Sequence, residues 1–198
     1  GGFSYGAQGR SHNVMEDLAA MRVLPHMKIL VPADQHEAEA ASRIVLAVPG
    51  PTYLRLGKQL ADIHAAPLSV ALGRGIVVRD GTDLTLVGVG NIMNVVRDVA
   101  GILAQHGLSA RVISLLTFKP LDEGLLRTAA QETRAVFTVE EHSFHGGLGG
   151  AVAEVLLEAN FSHPIIFRRF ALPEESHQKL GSQEYLRKVY HLTAEDIS

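Results

Sequence analysis

The sequence predicts an α/β fold, and three observations predict it. Short runs rich in Val, Ile and Leu alternate with longer amphipathic stretches along the chain. Asp, Asn or Thr stands just before several of those stretches, with Glu or Asp three residues on. Glycine or proline closes most strands and helices. Strands that alternate with helices across short loops indicate parallel sheets, here a first α/β layer followed by a doubly wound, mainly parallel sheet.

Taken in order, the chain opens on a polar, glycine-flanked turn, Gly6-Ala7-Gln8-Gly9-Arg10-Ser11-His12. Asn13 is the expected N-cap of a helix running to about Val23, with Glu16 reaching back as in a capping box. His12 would then sit at a helix mouth, where an imidazole and free N–H groups can face a polar ligand; a solvated histidine on a surface turn is the plainer alternative. Pro25 stops this helix. Met27–Val31 reads as a strand, Asp34 with Glu37 caps a helix that closes near Pro49-Gly50-Pro51, and Tyr53–Leu56 reads as the next strand. From Gly57 to about Pro67 no period is clear, which suggests a linker over 61–67. Ser69–Asp80 is expected to form a short hairpin.

The second unit has the clearer pattern. Leu84–Gly90 is a buried strand ending in a glycine turn, and Ile92, Val95, Val96, Val99, Ile102 and Leu103 mark one helical face that ends at Gly107. Ala110–Leu116 is a strand, and Pro120-Leu121-Asp122 starts a helix. Ala135–Val139 is a strand that runs into Glu140-Glu141-His142 and a glycine run, followed by a helix over Ala151–Ala159. Pro164–Arg168 is a strand, Gln183–Tyr190 a helix, and Thr193 with Asp196 begins a last turn.

Composition narrows the function. The 198 residues are 46% hydrophobic and 20% charged, with a formal net charge of −3, so neither nucleic acid nor an anionic membrane is an expected partner. The absence of cysteine excludes disulfides, thiolate catalysis and cysteine metal sites, and fits a cytoplasmic protein. No apolar run reaches the roughly 18 residues of a membrane-spanning helix, and no signal peptide is visible. Gly88-x-Gly90 and Gly147-x-Gly149-Gly150 lack the spacing of a dinucleotide fingerprint, so close packing of loop on helix is the expected role of these glycines. Glu140-Glu141-His142 could form an acid/base cluster or a metal site, but consecutive residues at a strand end point in different directions, and a loop network of carboxylate and imidazole is the favoured reading. Arg55 offers a planar fork suited to phosphate or to a carboxylate partner.

In their order, these pieces resemble the transketolase family of thiamine-diphosphate enzymes. The resemblance rests on Gly9-Arg10-Ser11-His12 followed by Glu16-Asp17-Leu18-Ala19 and Arg22-x-Leu24-Pro25, then Val31-Pro32-Ala33-Asp34-x-x-Glu37 and Tyr53-x-Arg55. It continues through Gly81-x-Asp83-Leu84-Thr85-Leu86-Val87-x-Val89-Gly90, Thr117-Phe118-Lys119-Pro120-Leu121-Asp122, Val139-Glu140-Glu141-His142 and Gly146-Gly147-Leu148-Gly149.

The resemblance implies that residues 1–60 are the second half of a pyrimidine-binding domain and 68–198 a transketolase C-terminal domain. The diphosphate-binding domain, the activating glutamate and the aromatic stack for the cofactor would then lie outside these residues, as in enzymes split into two polypeptides. A chain that opens Gly1-Gly2-Phe3 is accordingly expected to be a fragment, a processed chain or one such subunit. The implied activity moves a two-carbon ketol unit between sugar phosphates, using thiamine diphosphate and Mg2+ held mainly by an N-terminal partner, in a homodimer or α2β2 assembly. The chain alone is expected to be inactive.

By the same resemblance His12 is the catalytic histidine near the substrate carbonyl, where an imidazole can donate a hydrogen bond and shuttle a proton. Arg55 would bind the sugar phosphate. Gln8 falls where transketolases carry an aspartate that contacts a substrate hydroxyl, and an amide can still bond a hydroxyl. Ser11 replaces a threonine and keeps its hydroxyl. A deoxyxylulose-phosphate synthase or a 2-oxoacid dehydrogenase β subunit is the alternative within the superfamily, and a non-catalytic assembly module the alternative of another class.

Overall fold

The computed structural model describes residues 1–58, 61–174 and 178–198. The described elements confirm the α/β class and form two sheets.

The first sheet is small. β1 (Lys28–Leu30) pairs in parallel with β2 (Thr52–Leu54), and α2 (Gln35–Ala47) crosses between them. An earlier short helix, α1 (Asp17–Arg22), precedes β1. Asp34 caps α2 as its sequence predicts, accepting the Glu37 N–H at 2.9 Å, and Glu37 in turn accepts the Ala33 N–H at 2.8 Å. The third strand comes from far along the chain: β6 (Thr117–Lys119) lies antiparallel on the other edge of β1. The sequence pattern has no means of showing this pairing, because β6 directly follows the strand predicted over Ala110–Leu116.

The second sheet has the order β3 (Ile76–Arg79), β5 (Ala110–Ser114), β4 (Leu84–Gly88), β7 (Ala135–Ser143), β8 (Ile166–Leu172). All neighbours run parallel except β3, which is antiparallel to β5. The hairpin expected within Ser69–Asp80 is therefore a correction: only 76–79 is extended, and it pairs with β5 instead of folding on its own preceding residues. Residues 61–75 carry no helix or strand among those described. The stretch without a clear period that begins at Gly57 also includes Gln59 and Leu60, which lie outside the described residues.

Helices cover both faces of this sheet. Leu84, Leu86, Val112 and Val139 pack with Val96 and Val99 of α3 (Met93–Gln105) and Ile197 of α7 (Ala194–Ile197). Val87, Ile113 and Val136, on the opposite face, pack with Leu126 and Ala129 of α4 (Glu123–Glu132) and Val152 and Val155 of α5 (Leu148–Leu157). The central strand β4 is buried along its whole length, which explains its uninterrupted apolar run. Asp122 caps α4 and Thr193 caps α7. Gly107, at φ +79°, takes the left-handed turn that ends α3.

The opening segment departs most from expectation. α1 begins at Asp17, and Glu16 holds its N-cap position without a side-chain cap. Asn13 is no N-cap: its Oδ1 is buried and has no partner among the described residues. The cause is a long-range bridge, in which Gly2 N–H donates to Val14 O at 2.8 Å and draws the chain around Val14 away from helix. His12 consequently sits in a turn closed by its own N–H on Gly9 O at 2.9 Å, not at a helix mouth.

Candidate active site

Gln8 ends a short 3-10 turn, Gly6–Gln8, and forms one wall of a cavity of about 320 Å3. Ser4, Tyr5 and Gly6 continue that wall, and Lys58 stands beside it. Ser182, Gln183 and Glu184, at the start of α6 (Gln183–Val189), form the facing wall. The Lys58 ammonium lies 5.2 Å from the centre of the Tyr5 ring, and the His12 ring lies 6.5 Å from that same ring. Tyr5 thus joins Lys58 to His12. The His12 side chain is exposed, with Nδ1 held 2.9 Å from Ser11 Oγ and the remaining ring nitrogen available to a ligand.

Arg55 is placed differently. It lies just past β2, buried, with only 6% of its surface exposed, and it is not among the residues lining that cavity. Its Nε donates to Asp17 Oδ2 at 2.8 Å, and its Nη2 donates to Val14 O at 3.1 Å and Glu141 O at 3.0 Å. The Tyr53 hydroxyl donates to the same Asp17 oxygen at 2.8 Å. Burial alone would raise the Asp17 carboxyl; the Arg55 charge and the hydrogen bonds from Arg55 and Tyr53 outweigh it and leave the pKa below the ordinary value. The same contact, with burial first, pushes the Tyr53 phenol up to about 12.

Glu140, Glu141 and His142 correct an expectation. They are not a loop after a strand but part of β7 itself, so their side chains alternate in direction. Glu140 accepts the N–H groups of Leu148 at 2.6 Å and Gly149 at 2.8 Å, which starts α5 inside the glycine run, ahead of the predicted Ala151. Complete burial pushes its carboxyl up to about 7, against the opposite pull of those two donors. His142 accepts the Ala19 N–H at Nε2 (3.3 Å), which assigns the proton to Nδ1, 2.9 Å from Ser143 O. Burial holds this imidazole below its usual pKa, so it is a neutral structural tie between β7 and α1.

Glu141 points the other way, where its carboxylate receives Phe3 N–H at 3.0 Å, the Gln183 amide at 2.8 and 2.9 Å, and Arg187 Nε. Among the described residues no group of three His, Asp or Glu side chains is arranged to hold a metal ion, and no helix is long and apolar enough to cross a membrane.

Residues 1–63 match the family model of the transketolase pyrimidine-binding domain, and residues 73–197 match that of the transketolase C-terminal domain. The chain belongs to the transketolase family. It is 34% identical over 178 residues to an apulose-4-phosphate transketolase subunit of Phocaeicola vulgatus, covering 89% of this chain and 56% of that protein. It is 31% identical over 200 residues to the putative transketolase C-terminal section of Methanocaldococcus jannaschii, covering 100% of this chain and 61% of that protein. A solved split-gene transketolase, described as an inactive beta4 tetramer, superposes with a TM-score of 0.87 at 38% identity, covering 97% of this chain and 61% of that one. This transketolase-family chain thus spans less than two thirds of each of these relatives.

Lys58 is a cavity-lining cation that the sequence pattern did not single out. It lies in a stretch without periodicity, next to a glycine, and belongs to no motif. One signal could have found it: ligands of parallel sheets bind beyond the carboxyl ends of strands, and Lys58 is the first exposed cation past the end of β2.

Proposed function

We propose that this chain is the C-terminal section of a transketolase-like enzyme that transfers a two-carbon ketol unit between sugar phosphates. The observation that carries the reading is the grouping of Gln8, Lys58 and Tyr5 on one cavity, with His12 against the same aromatic ring. A polyol phosphate needs an anion partner, a hydroxyl partner and a group that can exchange a proton with a carbonyl oxygen. Lys58 supplies a point charge for phosphate, the Gln8 amide both donates to and accepts from hydroxyls, and the exposed imidazole of His12 handles the proton.

On this reading the phosphate role that the family resemblance implies for Arg55 passes to Lys58. Arg55 instead positions the site from behind: it fixes the Val14 carbonyl and Asp17, the segment that directly follows His12.

The residues present do not fit thiamine diphosphate with its divalent ion. Glu140 is the carboxylate held near neutrality, and both its oxygens are committed to backbone N–H groups. The cofactor and Mg2+ are therefore assigned chiefly to an N-terminal section bound to this chain. The names of the relatives support that division, since they include a transketolase subunit, a C-terminal section and a split-gene chain that is inactive as a beta4 tetramer.

The test is a substrate panel on this chain joined to the N-terminal section of a split transketolase. Ketol transfer to ribose 5-phosphate is expected. Product from pyruvate with glyceraldehyde 3-phosphate, or turnover of a 2-oxoacid in place of ketol transfer, would contradict the reading in favour of a synthase or a dehydrogenase. No turnover with any donor, together with stable association of the two chains, would favour an assembly module.

A further inference from the structure

The cavity's two walls come from opposite ends of the chain, and one buried carboxylate joins them. Glu141, 2% exposed, accepts the N–H of Phe3 on one side, at the root of the Ser4–Gln8 wall. On the other side it receives the side-chain amide of Gln183, itself a lining residue. Arg187 Nε closes the arrangement, and the remaining nitrogens of Arg187 donate to Asn94 Oδ1 and Asn91 O, both at 3.2 Å. Asn91 reaches the first wall again, through its Nδ2 donating to Ser4 Oγ at 3.3 Å. Close packing leaves little slack: a Cβ on Gly2 would meet Glu141 Oε2 at 2.4 Å, and one on Gly6 would meet the Leu186 side chain at 2.4 Å.

We propose that Glu141 is a positioning residue that sets the separation of the Gln8 wall from the Gln183 wall, so that the C-terminal domain helps select the sugar. This rests on the cavity being the sugar-phosphate site. Phosphate alone meets Lys58, which packs on the Tyr5 ring and makes no hydrogen bond to Glu141, Gln183 or Arg187. The polyol has to fit between the two walls, so only the sugar part of the ligand reads their spacing. Moving a wall so that one sugar hydroxyl loses its hydrogen bond costs up to about tenfold in affinity.

The experiment compares ribose 5-phosphate with inorganic phosphate as ligands of the full chain, titrated by nuclear magnetic resonance on wild type, Lys58→Met, Glu141→Gln and Gln183→Met. Wild type is expected to bind the sugar phosphate more tightly than phosphate, and Lys58→Met to lose both. Glu141→Gln is expected to weaken ribose 5-phosphate about tenfold while leaving phosphate affinity unchanged, a split that general loss of structure would not produce. Gln183→Met removes one end of the clamp without altering a buried charge, and it is expected to show the same split more weakly, which keeps the test open if Glu141→Gln fails to fold. Unchanged sugar-phosphate affinity in both variants, or an equal loss of both ligands in folded Gln183→Met, overturns the positioning role. If wild type binds neither ligand through Lys58, the sugar-phosphate site itself is refuted and the inference goes with it.

Discussion

Arg55 and Asp17 form an ion pair 2.8 Å long in which each side chain is only 5% exposed. Such a pair holds geometry more than it adds stability, but breaking it strands a buried charge. Arg55→Met is therefore expected to destabilise the chain by about 3–5 kcal/mol, since among the described residues it leaves the Tyr53 hydroxyl as the side-chain hydrogen-bond donor to Asp17. Urea denaturation followed by circular dichroism measures it. A loss below about 1 kcal/mol would mean that the carboxylate finds water or another partner.

The pair also fixes an acid limit. Asp17 has its pKa lowered from 3.8 in the folded chain, so its contribution is present above that value and is lost as pH falls through the lower folded one. Asp17→Asn is expected to flatten the acid side of a plot of melting temperature against pH. An acid limb of unchanged steepness would place the sensitivity on other carboxylates.

His64 acts in the opposite direction. Its Nε2 lies 3.0 Å from Glu37 Oε1, and its backbone N–H donates to Asp34 at 2.7 Å, which ties the segment after β2 to the cap of α2. The hydrogen bond to Glu37 raises its pKa above 6.5 in spite of partial burial. Its stabilisation is accordingly complete below that value and fades as pH rises through the folded one. The difference in melting temperature between wild type and His64→Ala should be larger at about pH 5.5 than at about pH 8.5. An equal difference at both would show that the imidazole charge contributes nothing.

Gly147 is required by space. A Cβ there would meet Glu140 Oε2 at 2.1 Å and His142 Nδ1 at 2.6 Å. Gly147→Ala is expected to cost about 1–3 kcal/mol by pushing Glu140 off the start of α5. Gly150→Ala is the control, because none of the described residues lies within 4 Å of its added carbon. Equal melting temperatures for the two variants would contradict the assignment of Glu140 as the cap of α5.

These sites also show what the sequence could reveal. Local signals were legible: Asp34, Asp122 and Thr193 are followed by the residues they cap, and the apolar run of β4 marked a strand buried on both faces. Signals that depend on distant partners were not. Asn13 and Glu16 satisfy a capping-box pattern, yet the bridge from Gly2 to Val14 overrides it. Glu140-Glu141-His142 look like one cluster, and only the extension of β7 shows that Glu141 faces a different site from its neighbours. Gln8 and His12 could be singled out together because both lie in one short motif, and the structure sets Gln8 on the cavity and His12 against the Tyr5 ring. Lys58 could not, because its relation to Tyr5 exists only after the opening segment is laid beside the residues that follow β2, where the Gly1 amino group donates to Leu56 O.

The central claim, that this chain completes a ketol-transfer enzyme without being one by itself, is tested most directly by complementation. The rate of transfer to ribose 5-phosphate is measured for this chain alone, for the N-terminal section of a split transketolase alone, and for the mixture, each with thiamine diphosphate and Mg2+. A rate is expected in the mixture only, reduced at least about a hundredfold by His12→Ala. Robust transfer by this chain alone, or a mixture whose rate is indifferent to His12→Ala, would contradict it.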